Sequence, residues 1–243
     1  MRDYEREFQD RVAFIRERLR EAHADGIVYG NSGGKDCTLV GALCKAACEN
    51  TVGVIMPCAS SRNYGSDTQD ALAAGEKFGI EQRTVDLTAV REAEKAALGK
   101  AVEISPAALS NIAPRLRMTT LYAIGGSENR LVAGTGNRSE RYMGYFTKWG
   151  DGACDFNPIG DLTATEVFAF LDYLGAPRSI IEKAPSAGLF EGQTDEQEMG
   201  VTYAAIDRYL TCGEAEEKDL EVIRRYHGRS AHKLVLPPVY GVD

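Results

Sequence analysis

Apolar residues near the amino terminus recur every three or four positions among charged residues, at Phe8, Val12, Ile15 and Leu19. That spacing places them on one face of a helix. We therefore predict an amphipathic surface helix that starts near Tyr4 and ends by Gly26.

Strands and helices alternate through the next part of the chain. A short apolar run at residues 27–29 leads into a glycine-rich turn and a helix of small apolar residues that reaches about residue 49. A buried strand at 51–56 precedes a helix at 67–78, and a strand at 80–87 precedes a helix at 88–98. Strands separated by helices of this length predict a parallel sheet wrapped by helices.

The second half of the chain carries one more strand and several helices. We predict a helix at 111–128, a strand at 130–135 and a helix at 163–174, which Thr163 and Glu166 begin as a capping box. The glycine-rich, charged stretch 148–153 is too polar for a core and is a candidate functional loop. A second irregular stretch, 185–194, precedes two amphipathic helices at about 203–210 and 214–226.

The sequence shows no internal repeat, low-complexity tract or linker that would divide it. We therefore expect residues 1–243 to form one α/β domain, in which helices flank a parallel sheet. In such folds the ligand crevice lies at the carboxyl ends of the strands.

Composition excludes several classes of protein. The chain is globular, with 44% hydrophobic and 26% charged residues, and its formal net charge of −8 gives no support for nucleic-acid binding. No apolar stretch approaches the roughly 20 residues of a membrane span, and the charged amino terminus is unlike a signal peptide, so we expect a cytoplasmic protein. The six cysteines contain no C-x-x-C pair, which favours reduced thiols and argues against a zinc site.

The strongest local signal is the string Ser32-Gly33-Gly34-Lys35-Asp36, where the first strand turns into a helix. Adjacent glycines let the backbone approach an anion closely, and the start of a helix favours phosphate. The spacing differs from that of a Walker A loop, which has four residues between its glycines. The alternative is a glycine turn with Asp36 as an early-helix carboxylate, although one glycine would suffice for such a turn.

This string resembles the pyrophosphate loop of the N-type ATP pyrophosphatases, which split ATP into AMP and pyrophosphate. Five further segments resemble the ammonia-dependent NAD synthetase family in their order and spacing, at residues 111–118, 134–140, 144–152, 155–162 and 195–200. The resemblance covers nearly the whole chain and is specific to that family, whereas the loop by itself is shared by many adenylating enzymes.

The resemblance implies a Rossmann-like fold of the adenine nucleotide alpha hydrolase type and a two-step reaction. The carboxylate of deamido-NAD attacks the α-phosphorus of ATP and releases pyrophosphate, and ammonia then displaces AMP to give NAD. Magnesium, ATP as co-substrate and a homodimer follow from the same resemblance. Nothing in the length of the chain remains for a glutaminase domain, so ammonia is either free or delivered by a separate amidotransferase.

The resemblance also assigns roles to individual residues. The ATP-binding residues are Gly30, Asn31, Ser32, Gly33, Gly34, Lys35, Asp36, Cys37, Thr135 and Ser186. The deamido-NAD-binding residues are Arg115, Lys148, Asp155, His232 and Lys233. Asp36 and Glu140 are the magnesium ligands, and Asp151 and Lys148 are the catalytic residues near the reacting centre.

Each of these residues also has an ordinary structural interpretation. Glu140, Lys148 and Asp151 would be surface charges if no motif surrounded them. Arg115 and Arg117 are two positions apart on a predicted helix and face different sides, so we expect at most one to reach the ligand and the other to be solvated.

Two positions depart from the family pattern. Cys37 stands where the family loop usually ends in serine, which replaces a strong hydroxyl donor with a weak thiol donor. Ala164 stands where the family commonly has a lysine that reaches the ATP phosphates, and we expect Lys35 to supply part of the missing charge. Two other functions therefore stay open: a divergent ligase or thiolase acting on another carboxylate or a tRNA base, and a non-catalytic nucleotide sensor.

Overall fold

The computed structural model describes residues 2–58, 64–183 and 194–241. The strands are β1 (Gly26–Gly30), β2 (Thr51–Ile55), β3 (Glu81–Thr84) and β4 (Arg130–Ala133). The helices are α1 (Tyr4–Ala22), α2 (Lys35–Ala47), α3 (Ser66–Phe78), α4 (Thr88–Leu98), α5 (Pro106–Ser110), α6 (Ile112–Glu128), α7 (Arg138–Met143), α8 (Ala164–Tyr173), α9 (Arg178–Ile181), α10 (Asp195–Met199), α11 (Tyr203–Cys212) and α12 (Glu217–Ser230), and a 3₁₀ turn covers Ala231–Lys233.

The strands form one parallel sheet in the order β3-β2-β1-β4. Ile27 of β1 pairs with Thr51 on one side and with Leu131 on the other. The chain moves outward from β1 to β2 and β3, and then crosses to the opposite side of β1 to form β4. The crossover direction reverses between β1 and β4, and in such sheets the ligand crevice lies beyond the carboxyl ends of those two strands.

Apolar clusters cover both faces of the sheet. Ile27 and Tyr29 pack with residues of α2 and α8 on one face, whereas Val28 packs with residues of β2, β4 and α6 on the other. This alternation is the period of two expected of a strand that is buried on both sides. A third cluster, which includes Met143, Ile206 and Ile223, joins α7 to α11 and α12.

The structure confirms the predicted parallel α/β sheet and each of the longer predicted helices. It shortens the third strand to β3, because only these four residues pair with β2. The short helices α5, α7, α9 and α10 were not predicted, since four to six residues give too few turns for a periodic pattern. The capping box at Thr163 and Glu166 is present at the start of α8.

Helix α6 continues through Gly125 and Gly126, although glycine has a low helix propensity. A Cβ at Gly125 would lie 2.8 Å from the backbone oxygen of Arg130. The glycine therefore lets α6 approach β4 closely, and the packing offsets the low helix propensity of the residue.

Within the described ranges, no helix has the length and hydropathy that a membrane span requires. All six cysteines lie in those ranges and are free thiols, as the sequence predicted. Burial raises the pKa of the Cys44 thiol, which lies in the apolar cluster between α2 and the sheet.

Candidate functional site

A cavity of about 870 Å³ opens at the carboxyl ends of β1 and β4. This volume is within the range of small-molecule sites, which is roughly 300–1,000 Å³. Its walls come from the loop after β1, the residues 134–136 after β4, the helix α6, the loop 144–153 and the carboxyl end of α12. The crevice predicted from the strand order is therefore a real cavity.

The loop after β1 takes its shape from Gly33, whose φ is +74°. A Cβ at this position would lie 2.2 Å from the backbone oxygen of Asp67, so α3 approaches the loop at a distance that only glycine permits. The backbone N–H of Gly33 donates to Oδ1 of Asn31 at 3.1 Å and fixes the turn. Helix α2 begins at Lys35 directly behind the glycines, where its first N–H groups and its dipole favour a phosphate.

The Cys37 thiol points into this loop. Its Sγ lies 3.2 Å from the backbone oxygen of Gly34 and 3.4 Å from the Ser32 hydroxyl. Burial raises the pKa of the Cys37 thiol, which therefore stays protonated and donates a weak hydrogen bond within the loop. The substitution of cysteine for serine at this position is accommodated by the fold of the loop.

Three carboxylates surround the ammonium group of Lys35. The Lys35 Nζ forms an ion pair with Asp36 and lies 4.0 Å from Oε1 of Glu140. Burial alone would lower the pKa of Lys35, but the charges of Asp36, Glu140 and Asp195 outweigh it and raise that pKa. Lys35 is therefore a fixed cation whose charge is already balanced by protein carboxylates.

Negative charge is in excess at this point of the cavity. Burial and the neighbouring charge of Asp36 raise the pKa of Glu140, although Lys35 opposes the effect. The Tyr203 hydroxyl donates to Oδ2 of Asp195 at 3.1 Å, and its ring lies 5.5 Å from the Lys35 Nζ. The surplus of carboxylate over ammonium makes this a place where a further cation would be stabilised.

The carboxylates of Asp36 and Glu140 fit a magnesium ion by their chemistry. Mg²⁺ prefers oxygen ligands and is usually held by one or two carboxylates together with substrate phosphates. Oδ1 of Asp36 accepts from the Asn137 amide at 3.0 Å, and Oε2 of Glu140 accepts from the Asn137 backbone at 3.0 Å, so both side chains are oriented by one residue. Among the described residues there is no group of three or more His, Cys, Asp or Glu that could hold a metal ion.

The glycine-rich loop 144–153 carries Asp151 to the cavity. Oδ1 of Asp151 accepts from the Thr147 backbone N–H at 2.9 Å, and the residue is exposed on the wall of the cavity. Burial raises the pKa of Asp151, and the charges of Arg117 and Lys233 oppose the effect. Asp151 is therefore a carboxylate of increased basicity on the cavity wall.

Lys233 holds this loop in place from the far end of the chain. Its Nζ donates to the backbone oxygens of Gly144 and Phe146 at 2.8 Å each. Burial lowers the pKa of Lys233, and the charge of Asp151 opposes the effect. Lys233 also lines the cavity, so the structure brings it together with Asp151 as expected.

Four of the predicted acceptor-binding residues do not line the cavity of this chain. The Lys148 Nζ donates to the backbone oxygen of His232 at 2.6 Å, and the Arg115 guanidinium reaches the Lys148 backbone at 3.4 Å. The Asp155 carboxylate accepts from the Val132 N–H and the Tyr122 hydroxyl, at 2.7 and 3.1 Å. Thr135 lines the cavity, whereas Ser186 lies outside the described residues.

Arg117, rather than Arg115, is the arginine of α6 that lines the cavity. Burial lowers its pKa, and its Nε donates to the Met56 backbone oxygen at 3.2 Å. Arg115 and Arg117 face different sides of α6, as their spacing predicts. However, Arg117, which we expected to be solvated, is the one that faces the cavity. The side of α6 that packs on the sheet, which Leu121 also marks, could have shown this in the sequence.

Lys183 is a second cavity residue that the sequence analysis missed. Its Nζ forms ion pairs with Asp67 and Asp70 of α3, at 2.8 and 2.7 Å. Asp67 is also the residue whose backbone oxygen abuts Gly33. Lys183 therefore connects the end of α9 to the wall of the phosphate loop, a contact for which no local motif exists.

Comparison with known proteins places these features in a family. The family model described as NAD synthase matches residues 7–235. The NH(3)-dependent NAD(+) synthetase of Carboxydothermus hydrogenoformans is 47% identical over 240 residues, which is 98% of each chain. The structure of an NMN synthetase from Francisella tularensis covers 100% of both chains with a TM-score of 0.94 and 39% identity. An NH3-dependent NAD synthetase from Campylobacter jejuni has a TM-score of 0.80 and 29% identity and covers 98% of this chain and 99% of its own.

Proposed function

The chain belongs to the NAD synthase family, and from this premise we propose that it amidates the nicotinate carboxylate of deamido-NAD with ammonia at the expense of ATP. The observation that carries the proposal is the joint placement of the Ser32–Cys37 loop, the Asp36 and Glu140 pair and Asp151 around one cavity.

The reaction has two balanced steps. In the first, a carboxylate oxygen forms a bond to the α-phosphorus of ATP, and the bond from that phosphorus to the bridging oxygen of pyrophosphate breaks. In the second, the ammonia nitrogen bonds to the acyl carbon, the bond to the AMP oxygen breaks, and the nitrogen loses a proton. The first step is needed because oxide is a poor leaving group, whereas AMP departs readily from the mixed anhydride.

The residues of the phosphate loop bind and orient ATP. The backbone N–H groups at the start of α2 are placed to bind the phosphates, and Lys35 offsets the repulsion between the Asp36 and Glu140 carboxylates. A magnesium ion held by these two carboxylates would neutralise phosphate charge. Phosphoryl transfer depends mainly on such alignment and charge balance, so the loop needs no nucleophile of its own.

Asp151 is the proton acceptor that we propose for the second step. Ammonium must lose a proton before or during attack on the acyl carbon, and a carboxylate of raised pKa is better suited to accept it than one of ordinary pKa. The hydrogen bond from Thr147 fixes one oxygen, which leaves the other free to face the cavity. Lys148, the other predicted catalytic residue, holds the 3₁₀ turn through His232 and has a positioning role in this proposal.

A second acceptor, nicotinate mononucleotide, is favoured by one specific observation. The similarity to the NMN synthetase structure, with a TM-score of 0.94, exceeds the value of 0.80 for the Campylobacter jejuni NAD synthetase. The same adenylation and amidation steps act on either acceptor, because both present the same nicotinate carboxylate. The four acceptor residues that lie outside the cavity of one chain would then be required only for the larger dinucleotide.

A homodimer is part of the proposal for the dinucleotide. Arg115 and Asp155 are exposed on the surface near α6, where a second copy could complete a longer site. Ammonia is the nitrogen source, either free or from a separate amidotransferase. Sedimentation at micromolar concentration tests the dimer, and an active monomer would contradict it.

The decisive experiment is a product assay with the purified protein, ATP, magnesium and ammonium. Deamido-NAD and nicotinate mononucleotide are supplied in separate reactions, and amide, AMP and pyrophosphate are quantified by chromatography. We expect equal amounts of the three products and no pyrophosphate without an acceptor. Asp151→Asn should lower the rate of amide formation by about 10²-fold or more. ATP cleavage without any amide from either acceptor would contradict the proposed function.

A further inference from the structure

We propose that Arg225 and Arg229 of α12 form a phosphate-binding subsite for the acceptor nucleotide. The inference rests on the proposed function and extends it, because neither residue is among the binding and catalytic residues that the resemblance assigns. Both side chains line the cavity, and Lys233 lines it one further step along the same direction. The spacing of four residues places Arg225 and Arg229 on one face of α12, and Lys233 continues this row of cations from the 3₁₀ turn beyond the helix.

The arginines of this row lower the stability of α12. Like charges four residues apart on a helix repel each other and lower its stability. Glu221 lies four residues before Arg225, at the spacing where an ion pair would form, yet Arg225 makes a ring contact with Tyr226 instead. Within the described ranges neither arginine has an ion pair, so their charges remain available to a ligand.

The row lies at the acceptor end of the cavity. The Ser230 hydroxyl contacts the backbone oxygen of Met143, and a Cβ at Gly144 would lie 2.0 Å from the Ser230 Cβ. The carboxyl end of α12 is therefore packed against the start of the loop that carries Asp151. The phosphate loop, by contrast, has cations that are already balanced: Lys35 by Asp36 and Glu140, and Lys183 by Asp67 and Asp70.

At this end of the cavity, cations that have no ion pair within the described residues indicate that the ligand bound there is an anion. Both candidate acceptors carry phosphate on the ribose that bears nicotinate, as a terminal monoester in the mononucleotide and as a diphosphate in the dinucleotide. Guanidinium groups bind phosphate oxygens with two parallel hydrogen bonds, which suits arginine better than lysine for this task. In a chain with a net charge of −8, a local row of cations also offsets repulsion of an anionic substrate.

The test measures equilibrium binding of acceptors, with a non-hydrolysable ATP analogue present at saturation. The variants are Arg225→Gln and Arg229→Gln, and Arg224→Gln is the matched control because Arg224 is on the same helix but does not line the cavity. We expect each variant to weaken binding of nicotinate mononucleotide and deamido-NAD by about tenfold or more. Nicotinate riboside, which lacks phosphate, and the ATP analogue should bind with unchanged affinity.

Unchanged acceptor binding in both variants would overturn the proposal, and so would an equal loss in Arg224→Gln or for the riboside. A loss for the mononucleotide alone supports the subsite and assigns it to a terminal phosphate. A loss for both acceptors also supports it and assigns it to the phosphate nearest the nicotinate ribose. Wild-type protein that binds the acceptors without producing amide would contradict the proposed function while leaving the subsite supported.

Discussion

The Ser139 hydroxyl donates a hydrogen bond to Oδ1 of Asp207, 68 residues further along the chain, inside the junction of α7, α8 and α11. Oδ2 of the same carboxylate accepts from the backbone N–H and the hydroxyl of Thr165, each at 2.8 Å. The Ser139 oxygen in turn accepts from the Ala164 N–H at 3.1 Å. One buried carboxylate thus caps the start of α8, where the helix dipole favours negative charge, and fastens it to two other helices.

We expect Asp207→Ala to lower the free energy of unfolding by about 3 kcal/mol, because several buried donors lose their acceptor at once. Asp207→Asn should cost less, since one side-chain oxygen remains. Urea unfolding of the purified variants measures both effects. Asp172→Ala, which removes an exposed ion pair with Arg178, is the control and should cost less than about 1 kcal/mol. Equal losses in Asp207→Ala and the control would contradict this assignment.

Gly33→Ala should abolish measurable ATP binding, because the added Cβ collides with the backbone of Asp67 and the loop must move. Gly79→Ala is the control, because it introduces backbone strain without a steric collision. Gly79 has φ of +65° but no atom within 4 Å of an added Cβ, so only a strain of about 1–2 kcal/mol is expected there. Titration with the ATP analogue and thermal unfolding give the two readouts. Normal ATP affinity in Gly33→Ala would show that the close approach is not required.

Lys35 and Ala164 should behave as a coupled pair. Ala164 is buried in the cluster that contains Tyr203, and the Lys35 Nζ lies 5.5 Å from the Tyr203 ring and 5.7 Å from the ring of Phe168, one helical turn after Ala164. Lys35→Ala leaves Asp36 and Glu140 without their cation, and we expect the KM for ATP to rise about tenfold or more. Ala164→Lys alone should destabilise the fold, since it adds a second ammonium to a packed region.

The double variant, Lys35→Ala with Ala164→Lys, decides whether the pair is coupled. If the new ammonium takes the space of the old one, the KM for ATP and the stability of the double variant should both lie closer to wild type than the single variants predict. Additive effects across the four proteins would instead show that Lys35 and position 164 act separately. In this interpretation the charge of Lys35 acts through the carboxylates of Asp36 and Glu140, with which it is paired.

Lowering the pH should weaken the ion pairs that hold the amino-terminal segment and α1 to Asp161 and Glu166. The Arg11 guanidinium holds Asp161 at 2.7 and 2.9 Å, and Arg2 holds Glu166 at 2.8 Å. Burial would raise the pKa of Asp161 and of Glu166, but these arginines outweigh it and lower both. A carboxyl group with a lowered pKa contributes stability above its unfolded-state value and loses it as pH falls through the folded-state value. The loss is therefore expected below about pH 4.

Arg11→Gln provides the measurement for this interaction. At pH 7 it should lower the free energy of unfolding by about 1–3 kcal/mol, and the difference from wild type should shrink as the pH falls below about 4. Arg6→Gln removes an exposed pair with Asp10 on the same helix and should cost less than about 1 kcal/mol at either pH. A cost for Arg11→Gln that does not change with pH would indicate lost packing rather than lost charge.

The cavity residues that belong to local sequence motifs could be predicted from the sequence. Asp36 and Glu140 belong to short motifs at a strand end and a helix start, and both line the cavity as expected. Arg117, Lys183 and Arg229 reach the cavity only because α6, α9 and α12 pack with a particular rotation, and that rotation depends on contacts between distant segments. The parallel sheet itself was predictable, since its strands are buried on both faces and alternate with helices.

The reversal of crossovers between β1 and β4 also has a consequence for how the protein folds. Asn137, which orients the two candidate metal ligands, is 101 residues from Asp36, and the two residues meet only after β4 has docked beside β1. Such non-local pairing is slow, because a long loop must close before its contacts form. ATP can therefore bind only after β4 has joined the sheet, and bound ATP would protect β4 against local opening.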